Sequence, residues 1–276
     1  MIKHIIHCGD IHIKNLRRLD EITEQLEKFL NECRDIVNKK GADSVRIVVA
    51  GDIFSQKINI SNEAKLVAAW FFRELDSIAK TIVIAGNHDF LMNNKSRVDS
   101  LTPIFEMGNY KNVFYADKEL GYQSGCIVDD NIVWCLYSSF DDFNAPEDLE
   151  YTKSVNPEST FVGLFHGEVN GAKTDVGYMM ERGLDGEYFE GMDFVCAGHI
   201  HKSQEIKKNG VKIVYSGSLI QQDYGENVTG HGYALWNVEK KTWKHREIEN
   251  PDHGFYKVII KDENDINENN ETIINL

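Results

Sequence analysis

Residues 81–89 read TIVIAGNHD, a short run of mainly β-branched residues that leads directly into Gly, Asn, His and Asp. The same layout occurs twice earlier, as HIIHCGDIH at residues 4–12 and as VRIVVAGDIF at residues 45–54. Runs of this kind predict buried strands, each with its polar block at the carboxyl end. We therefore predict strands over residues 2–8, 45–50 and 81–85.

Two amphipathic helices are predicted between these strands. Apolar residues recur at spacings of three and four from Leu19 to Val37, which indicates one helix over residues 16–40. A second helix is expected from an N-cap at Ser61 to about Ala79. A strand–helix–strand–helix–strand order implies right-handed crossovers and a largely parallel sheet.

The later part of the chain has a different pattern. Further strands are predicted at residues 132–137, 161–165 and 194–197, and Asn209–Gly210 marks a hairpin between QEIKK and VKIVYSG. Two more strands, GYALWNV and TWKHREI, follow. The prediction is an α/β fold with mixed sheets, formed by a domain over residues 1–250. Residues 251–276 are expected to add the strand FYKVII and an acidic tail, which could begin a further capping domain.

Seven residues with metal-binding side chains fall in five blocks, GDIH, GDIF, GNHD, FHGE and GHIH, each after a strand-like run. They are Asp10, His12, Asp52, Asn87, His166, His199 and His201. Functional residues of open α/β sheets gather at the carboxyl ends of strands, so we expect the blocks to converge. Carboxylate, amide and imidazole ligands without thiolate suit two divalent cations, and such a pair favours hydrolysis at phosphorus by activated water.

Composition limits the classes of function. The chain has 276 residues, 42% of them hydrophobic, and a formal net charge of −14. That charge argues against metal-free, stand-alone binding of nucleic acid, although bound cations or a partner could compensate. No apolar run approaches the roughly 20 residues that span a bilayer. We expect no membrane association and a cytoplasmic location, in the host cytoplasm if the protein is phage-encoded.

The ordered series D-x-H, G-D, G-N-H-D, H and G-H-x-H resembles the calcineurin-like metallophosphoesterase superfamily over residues 2–248. The resemblance implies a two-sheet αββα sandwich with mixed sheets flanked by helices. It also implies two metal sites that share Asp52, with a metal-bridging hydroxide that attacks phosphorus. The implied ligands are Asp10, His12, Asp52 and His201 for one metal, and Asp52, Asn87, His166 and His199 for the other. His88 would assist the leaving group or the transition state, supported by Asp89.

Within that superfamily, GDIF, GNHD and the segment YSGSLIQQDYGE at residues 215–226 look like the Mre-eleven/SbcD nucleases, including phage recombination endonuclease subunits. Ser/Thr protein phosphatases have G-N-H-E at the third block, unlike this chain. The resemblance makes Ser216, Gly217 and Ser218 candidates for substrate contacts. Ser55 stands where many relatives have histidine, so the balance of exonuclease and endonuclease activity stays open.

The resemblance implies a two-metal phosphodiesterase that acts on DNA in an end-processing or recombination complex. Manganese is the expected metal, with Mg²⁺, Fe²⁺ or Zn²⁺ as alternatives. The expected partners are DNA, an SbcC/Rad-fifty-type ATPase and a second copy of the chain in a homodimer. The first alternative is a small-molecule or cyclic-nucleotide phosphoesterase. A non-catalytic adaptor is disfavoured because no ligand position is degenerate.

Overall fold

The strands form two six-stranded sheets in the computed structural model, which describes residues 1–256. In spatial order, the first sheet contains β12 (Thr242–Glu247), β11 (Gly232–Asn237), β1 (His4–Cys8), β2 (Val45–Ala50), β3 (Thr81–Ile84) and β4 (Val113–Tyr115). The second contains β5 (Gly125–Asp129), β6 (Ile132–Tyr137), β7 (Thr160–His166), β8 (Phe194–Gly198), β10 (Val211–Tyr215) and β9 (Gln204–Lys208). The α-helices are α1 (Leu19–Lys40), α2 (Asn62–Ile78), α3 (Thr102–Gly108), α4 (Ala116–Glu119) and α5 (Leu149–Val155).

Both sheets are mixed, as predicted. Strands β1 to β4 run parallel, whereas β11 is antiparallel to both β1 and β12. In the second sheet β6, β7, β8 and β10 run parallel, with antiparallel β5 and β9 at the edges. The parallel order places the carboxyl ends of β1, β2 and β3 together, and likewise those of β7 and β8. These ends carry the polar blocks.

Apolar side chains fill the layer between the sheets, among them the buried Val48, Trp134 and Trp236. A second cluster lies between the first sheet and helices α1 and α2, where Phe29 and Phe71 are fully buried. Each such side chain contributes roughly 1.5–3 kcal/mol when removed from water. The strand ends that carry the polar blocks therefore project from a well-packed scaffold.

The elements predicted within residues 1–250 are confirmed, with differences at their ends. Helix α1 begins at Leu19 rather than residue 16, and Ser61 caps α2 by accepting a hydrogen bond from Ala64 N–H at 3.2 Å. The prediction lacked β4, which has three residues, and β5, which is only partly buried. Short or half-exposed strands give little hydrophobic periodicity.

Phe255 and Tyr256, the first two residues of the expected strand FYKVII, are irregular chain, and the rest of that strand and the acidic tail lie outside the described residues. Residues 251–256 form a turn followed by irregular chain. Over the part of the chain that the structure describes, no helix is long and apolar enough to cross a membrane.

Candidate metal centre

The polar blocks after β1, β2, β3, β7 and β8 meet at one edge of the two sheets. Asp10 N–H donates to Gly51 O over 3.0 Å, and His12 N–H donates to Asp52 O over 3.0 Å. The blocks are so close that a Cβ atom on Gly86 would collide with the backbone nitrogen of Asp52. Only glycine leaves room for this approach.

Four of the predicted ligands have an unusual backbone conformation. Asp10, His12, Asp52 and His199 have positive φ angles of 50°, 52°, 53° and 100°. Residues other than glycine rarely adopt this region, and when they do they cluster at functional sites. Each turn brings the side chain of one block close to the candidate ligands of the other blocks.

The first group of side chains is Asp10, His12 and His201, whose candidate ligand atoms lie within 4.8 Å of one another. The Nε2 atoms of His12 and His201 are 3.0 Å apart, and His201 Nε2 is 3.9 Å from Asp10 Oδ1. Asp10 is fully buried and also accepts the backbone N–H of His199 at 2.9 Å. The same carboxylate thus joins the first and last blocks.

The second group is Asp52, His166 and His199, again with candidate ligand atoms within 4.8 Å of one another. His166 Nε2 lies 3.3 Å from Asp52 Oδ2. Asn87 belongs to this group by distance, because its Oδ1 is 2.8 Å from His199 Nδ1 and 3.2 Å from His166 Nε2.

Asp52 connects the two groups. Its Oδ2 lies 3.5 Å from His12 Nε2 of the first group and 3.3 Å from His166 Nε2 of the second. All seven predicted ligands therefore come together, with Asp52 at the position of a shared carboxylate.

Asp52, His12 and His199 have the protonation states that bind a divalent cation. Burial alone would raise the pKa of Asp52, but His166 and His12 hold it well below its usual range, so the carboxylate is ionised. Burial lowers the pKa of His12 to about 3 and of His199 to about 4, which keeps both rings neutral with a free lone pair. Ionised carboxylates and neutral imidazoles are the forms that bind metal. Despite burial, Asp52 raises the pKa of His166 and Glu226 raises that of His201, each to about 9, so these two rings would lose a proton when a metal binds.

The rings of His166 and His201 are oriented in different ways. His166 Nδ1 donates to the Ala50 carbonyl over 2.6 Å, and His201 Nδ1 donates to Glu226 Oε1 over 2.5 Å. A partner on one ring nitrogen directs the other toward a metal. The sequence prediction missed Glu226, which is the last residue of segment 215–226 and lies 25 residues after His201.

His88 lies beside the first group. Its Nδ1 is 2.9 Å from Ser55 O, and its backbone N–H donates to Asp52 Oδ1 over 2.7 Å. With His12, His88 lines a pocket of about 360 Å³ that also contains Lys14.

Among the described residues, Asp89 makes no hydrogen bond to the His88 ring, so its support of His88 stays a prediction. Asp89 is fully buried, and its carboxylate accepts the backbone N–H groups of Ile53 at 3.0 Å, Phe54 at 3.2 Å and Gly86 at 2.9 Å. It ties the second block to the third, while Ser55 O orients the His88 ring. Asp89 is therefore a positioning residue.

The hydroxyl groups of the Gly-Ser segment are buried, and substrate contact by this segment stays a prediction. Ser216 and Ser218 are fully buried, and Ser218 Oγ contacts Ile220 O at 2.9 Å and His231 Nδ1 at 3.0 Å. Gly217 has a φ of 80°, and a Cβ atom there would lie 2.8 Å from His201 O. Ser218 N–H donates to that same carbonyl over 3.0 Å. Residues 217 and 218 therefore pack against the backbone carbonyl of His201.

A family model described as calcineurin-like phosphoesterase matches residues 3–203. The chain belongs to this family. The family is one of phosphoesterases that use divalent metals, in agreement with the two side-chain groups described above.

Three relatives illustrate the range of similarity. An uncharacterized protein of Acanthamoeba polyphaga mimivirus is 39% identical over 268 residues, which are 95% of this chain and 19% of that protein. A putative phosphoesterase of Invertebrate iridescent virus 6 is 25% identical over 81% of this chain and 72% of its own length. The SbcD component of the nuclease SbcCD from Bacillus subtilis is 25% identical over 87% of this chain and 68% of its own length. The chain thus spans about a fifth of the mimivirus protein.

Proposed function

We propose that this protein is a two-metal phosphodiesterase that hydrolyses DNA, as the nuclease component of an end-processing or recombination complex. The observation that carries the proposal is the pair of ligand groups that share Asp52. Two-metal sites with a shared carboxylate suit in-line displacement at phosphorus. Similarity to the SbcD component of the SbcCD nuclease over 87% of the chain supports DNA as the substrate.

Seven side chains would hold the metals: Asp10, His12, Asp52 and His201 on one side, and Asp52, Asn87, His166 and His199 on the other. Bound divalent cations would activate water and neutralise charge on the phosphate. Manganese is the proposed ion, since the oxygen and nitrogen ligand set suits it. Asp10 and Asp52 supply the buried negative charge that such a pair requires.

His88 is the proposed acid or transition-state group. Ser55 O accepts a hydrogen bond from His88 Nδ1, which leaves Nε2 for a substrate oxygen. The backbone bond from His88 to Asp52 fixes the ring beside the shared carboxylate. From there the ring would donate a proton or a hydrogen bond to the leaving oxygen.

Two partners are proposed, one from the similarity to SbcD and one from exposed apolar side chains. A chain of net charge −14 attracts DNA poorly. An SbcC/Rad-fifty-type ATPase would therefore supply the binding to DNA. A homodimer would use the outer faces of α2 and α3, where Leu66 is 70% and Met107 85% exposed. Large apolar side chains exposed together often mark a protein interface.

A small nucleotide diester is the second candidate substrate. The net charge of −14 favours it, because a small substrate needs no extended basic track. A non-catalytic adaptor fits less well, since all seven ligand positions converge together with His88.

The test compares hydrolysis of labelled single- and double-stranded DNA, a cyclic nucleotide and bis-(p-nitrophenyl) phosphate in Mn²⁺. Wild type is compared with Asp52→Ala and His88→Ala. DNA degradation that both substitutions abolish is the expected result. Hydrolysis of the small diesters alone, with the same residue dependence, would favour the second candidate.

A further inference from the structure

The segment 221–226 forms a rim on the side of the pocket where His201 lies. Glu226, at the end of this segment, orients His201, and its Oε2 accepts the backbone N–H of Gln222 over 2.7 Å. The Gln222 carbonyl in turn accepts a hydrogen bond from Lys14 Nζ over 3.0 Å. The rim is thus connected by hydrogen bonds to the candidate metal centre.

Lys14 brings a cation to this rim. It lines the same pocket as His12 and His88, and within residues 1–256 it makes one hydrogen bond and no ion pair. An ammonium group has three N–H donors, so two remain for a ligand. A lysine beside a dication site is repelled unless an anion lies between them, and a phosphate oxygen meets that requirement.

An aromatic pair stands next to Lys14. The Tyr224 and Phe255 rings have centroids 4.8 Å apart, and the Lys14 ammonium lies 5.8 Å from the Phe255 centroid. The Arg18 guanidinium lies 4.4 Å from that centroid, and Phe255 N–H donates to Gln221 Oε1 over 2.6 Å. Phe255 is therefore held in place, and it supports Tyr224, which is 67% exposed.

We propose that this rim is a nucleotide subsite: Lys14 binds a phosphate oxygen, and the Tyr224 ring stacks on the base next to the scissile phosphate. The proposal rests on the phosphodiesterase function proposed above and adds that the substrate carries a base next to the scissile phosphate. An aromatic ring paired with a cation beside a phosphate site is the usual arrangement for unpaired nucleotides. A stacked base must leave its duplex, so the subsite takes single strands or frayed ends.

The test changes the Tyr224 ring in the protein and the bases in the substrate. Tyr224→Leu and Lys14→Gln are compared with Tyr151→Leu, which alters a 71% exposed tyrosine on α5, and Lys65→Gln, which alters an exposed lysine on α2. The substrates are a thymidine dinucleotide and its two analogues with one base removed, all in Mn²⁺. Stacking predicts that Tyr224→Leu raises KM about 10-fold on the dinucleotide. With one analogue the ratio of mutant to wild-type KM should fall to about one.

Binding of a short labelled oligothymidylate, followed by fluorescence anisotropy in Ca²⁺, provides a second readout. Tyr224→Leu and Lys14→Gln should each weaken binding by about 10-fold, and the two control variants should match wild type. Equal binding by Tyr224→Leu and wild type, or an equal KM ratio on all three dinucleotides, would overturn the subsite alone. If wild type neither binds the oligomer nor hydrolyses any diester, both the subsite and the proposed function are overturned.

Discussion

The two halves of the candidate centre are built on different supports. In the half that we call sheet-held, formed by Asn87, His166 and His199, the ring of His166 is oriented by the backbone carbonyl of Ala50, the last residue of β2. In the loop-held half, formed by Asp10, His12 and His201, the ring of His201 is oriented by the side chain of Glu226. Asp52 belongs to both halves.

Burial differs between the two oriented rings and not between the halves as a whole, since the His199 side chain is 27% exposed and Asp10 is fully buried. The His166 side chain has no solvent exposure, whereas that of His201 is 26% exposed. Ala50 lies in a central strand, while Glu226 lies in irregular chain between β10 and β11. Central strands open only with global unfolding, but irregular segments open locally. We therefore expect the sheet-held half to bind metal more tightly than the loop-held half.

Removal of Asp52 should have the largest effect on activity, because both halves lose the carboxylate that they share. Asp52→Ala should lower phosphodiester hydrolysis by on the order of 10³-fold, the scale of several kcal/mol of lost charge stabilisation. Kinetics on bis-(p-nitrophenyl) phosphate and metal analysis would measure the loss. Asp35→Asn, at an exposed carboxylate on α1, is the control. Two retained metals with normal turnover would contradict the shared role.

A matched pair of glutamates tests the halves separately. Glu226→Gln should weaken metal binding in the loop-held half by about 10–100-fold, the usual effect of losing a carboxylate that orients a histidine ligand. Glu168→Gln is the control, because Glu168 Oε1 lies 3.7 Å from His199 Nε2, beyond a hydrogen bond. Manganese titration followed by electron paramagnetic resonance should show one weakened site of two in Glu226→Gln. Equal weakening in both variants would argue against the distinction.

Metal removal should lower thermal stability by an amount that depends on both halves. At 100 times its dissociation constant, each ion that binds only the folded state adds about 2.7 kcal/mol. For a chain of this size that corresponds to a rise in Tm of roughly 2–4 °C per kcal/mol. Differential scanning fluorimetry with Mn²⁺ and with EDTA would measure it. Glu226→Gln should retain only the contribution of the sheet-held half at intermediate Mn²⁺; an undiminished shift would count against the model of two unequal halves.

The smallest kinetic effect is expected in the segment beneath His201. Ser216→Ala should leave KM unchanged within about twofold, because its hydroxyl is buried and donates to the Gly217 carbonyl over 3.2 Å. Ser218→Ala should lower the free energy of unfolding by about 1 kcal/mol through the lost contacts with Ile220 and His231. Urea unfolding and steady-state kinetics would separate the two quantities. A large rise in KM for Ser216→Ala would support the substrate-contact interpretation.

Sequence reasoning anticipated the sheet-held half better than the supports of the loop-held half. Strand periodicity and the polar blocks placed Asp52 and Asn87 at the ends of two neighbouring strands of the first sheet and His166 at the end of a strand of the second, as the sheet topology shows. Glu226 escaped prediction because irregular chain has no periodicity that reports where a side chain points. The hydrogen bonds of Asp89 were not predicted for a related reason. They join its carboxylate to backbone N–H groups of a block that is distant in sequence and close only in the folded chain.

We propose that Asp52 joins two metal sites, one held by the sheets and one by a loop. Anomalous diffraction from crystals soaked in increasing Mn²⁺ tests it most directly. We expect two peaks about 3.5–4 Å apart on either side of the Asp52 carboxylate. The peak beside His166 and His199 should fill at the lower concentration. A single peak, or two peaks that Asp52 does not bridge, would contradict it.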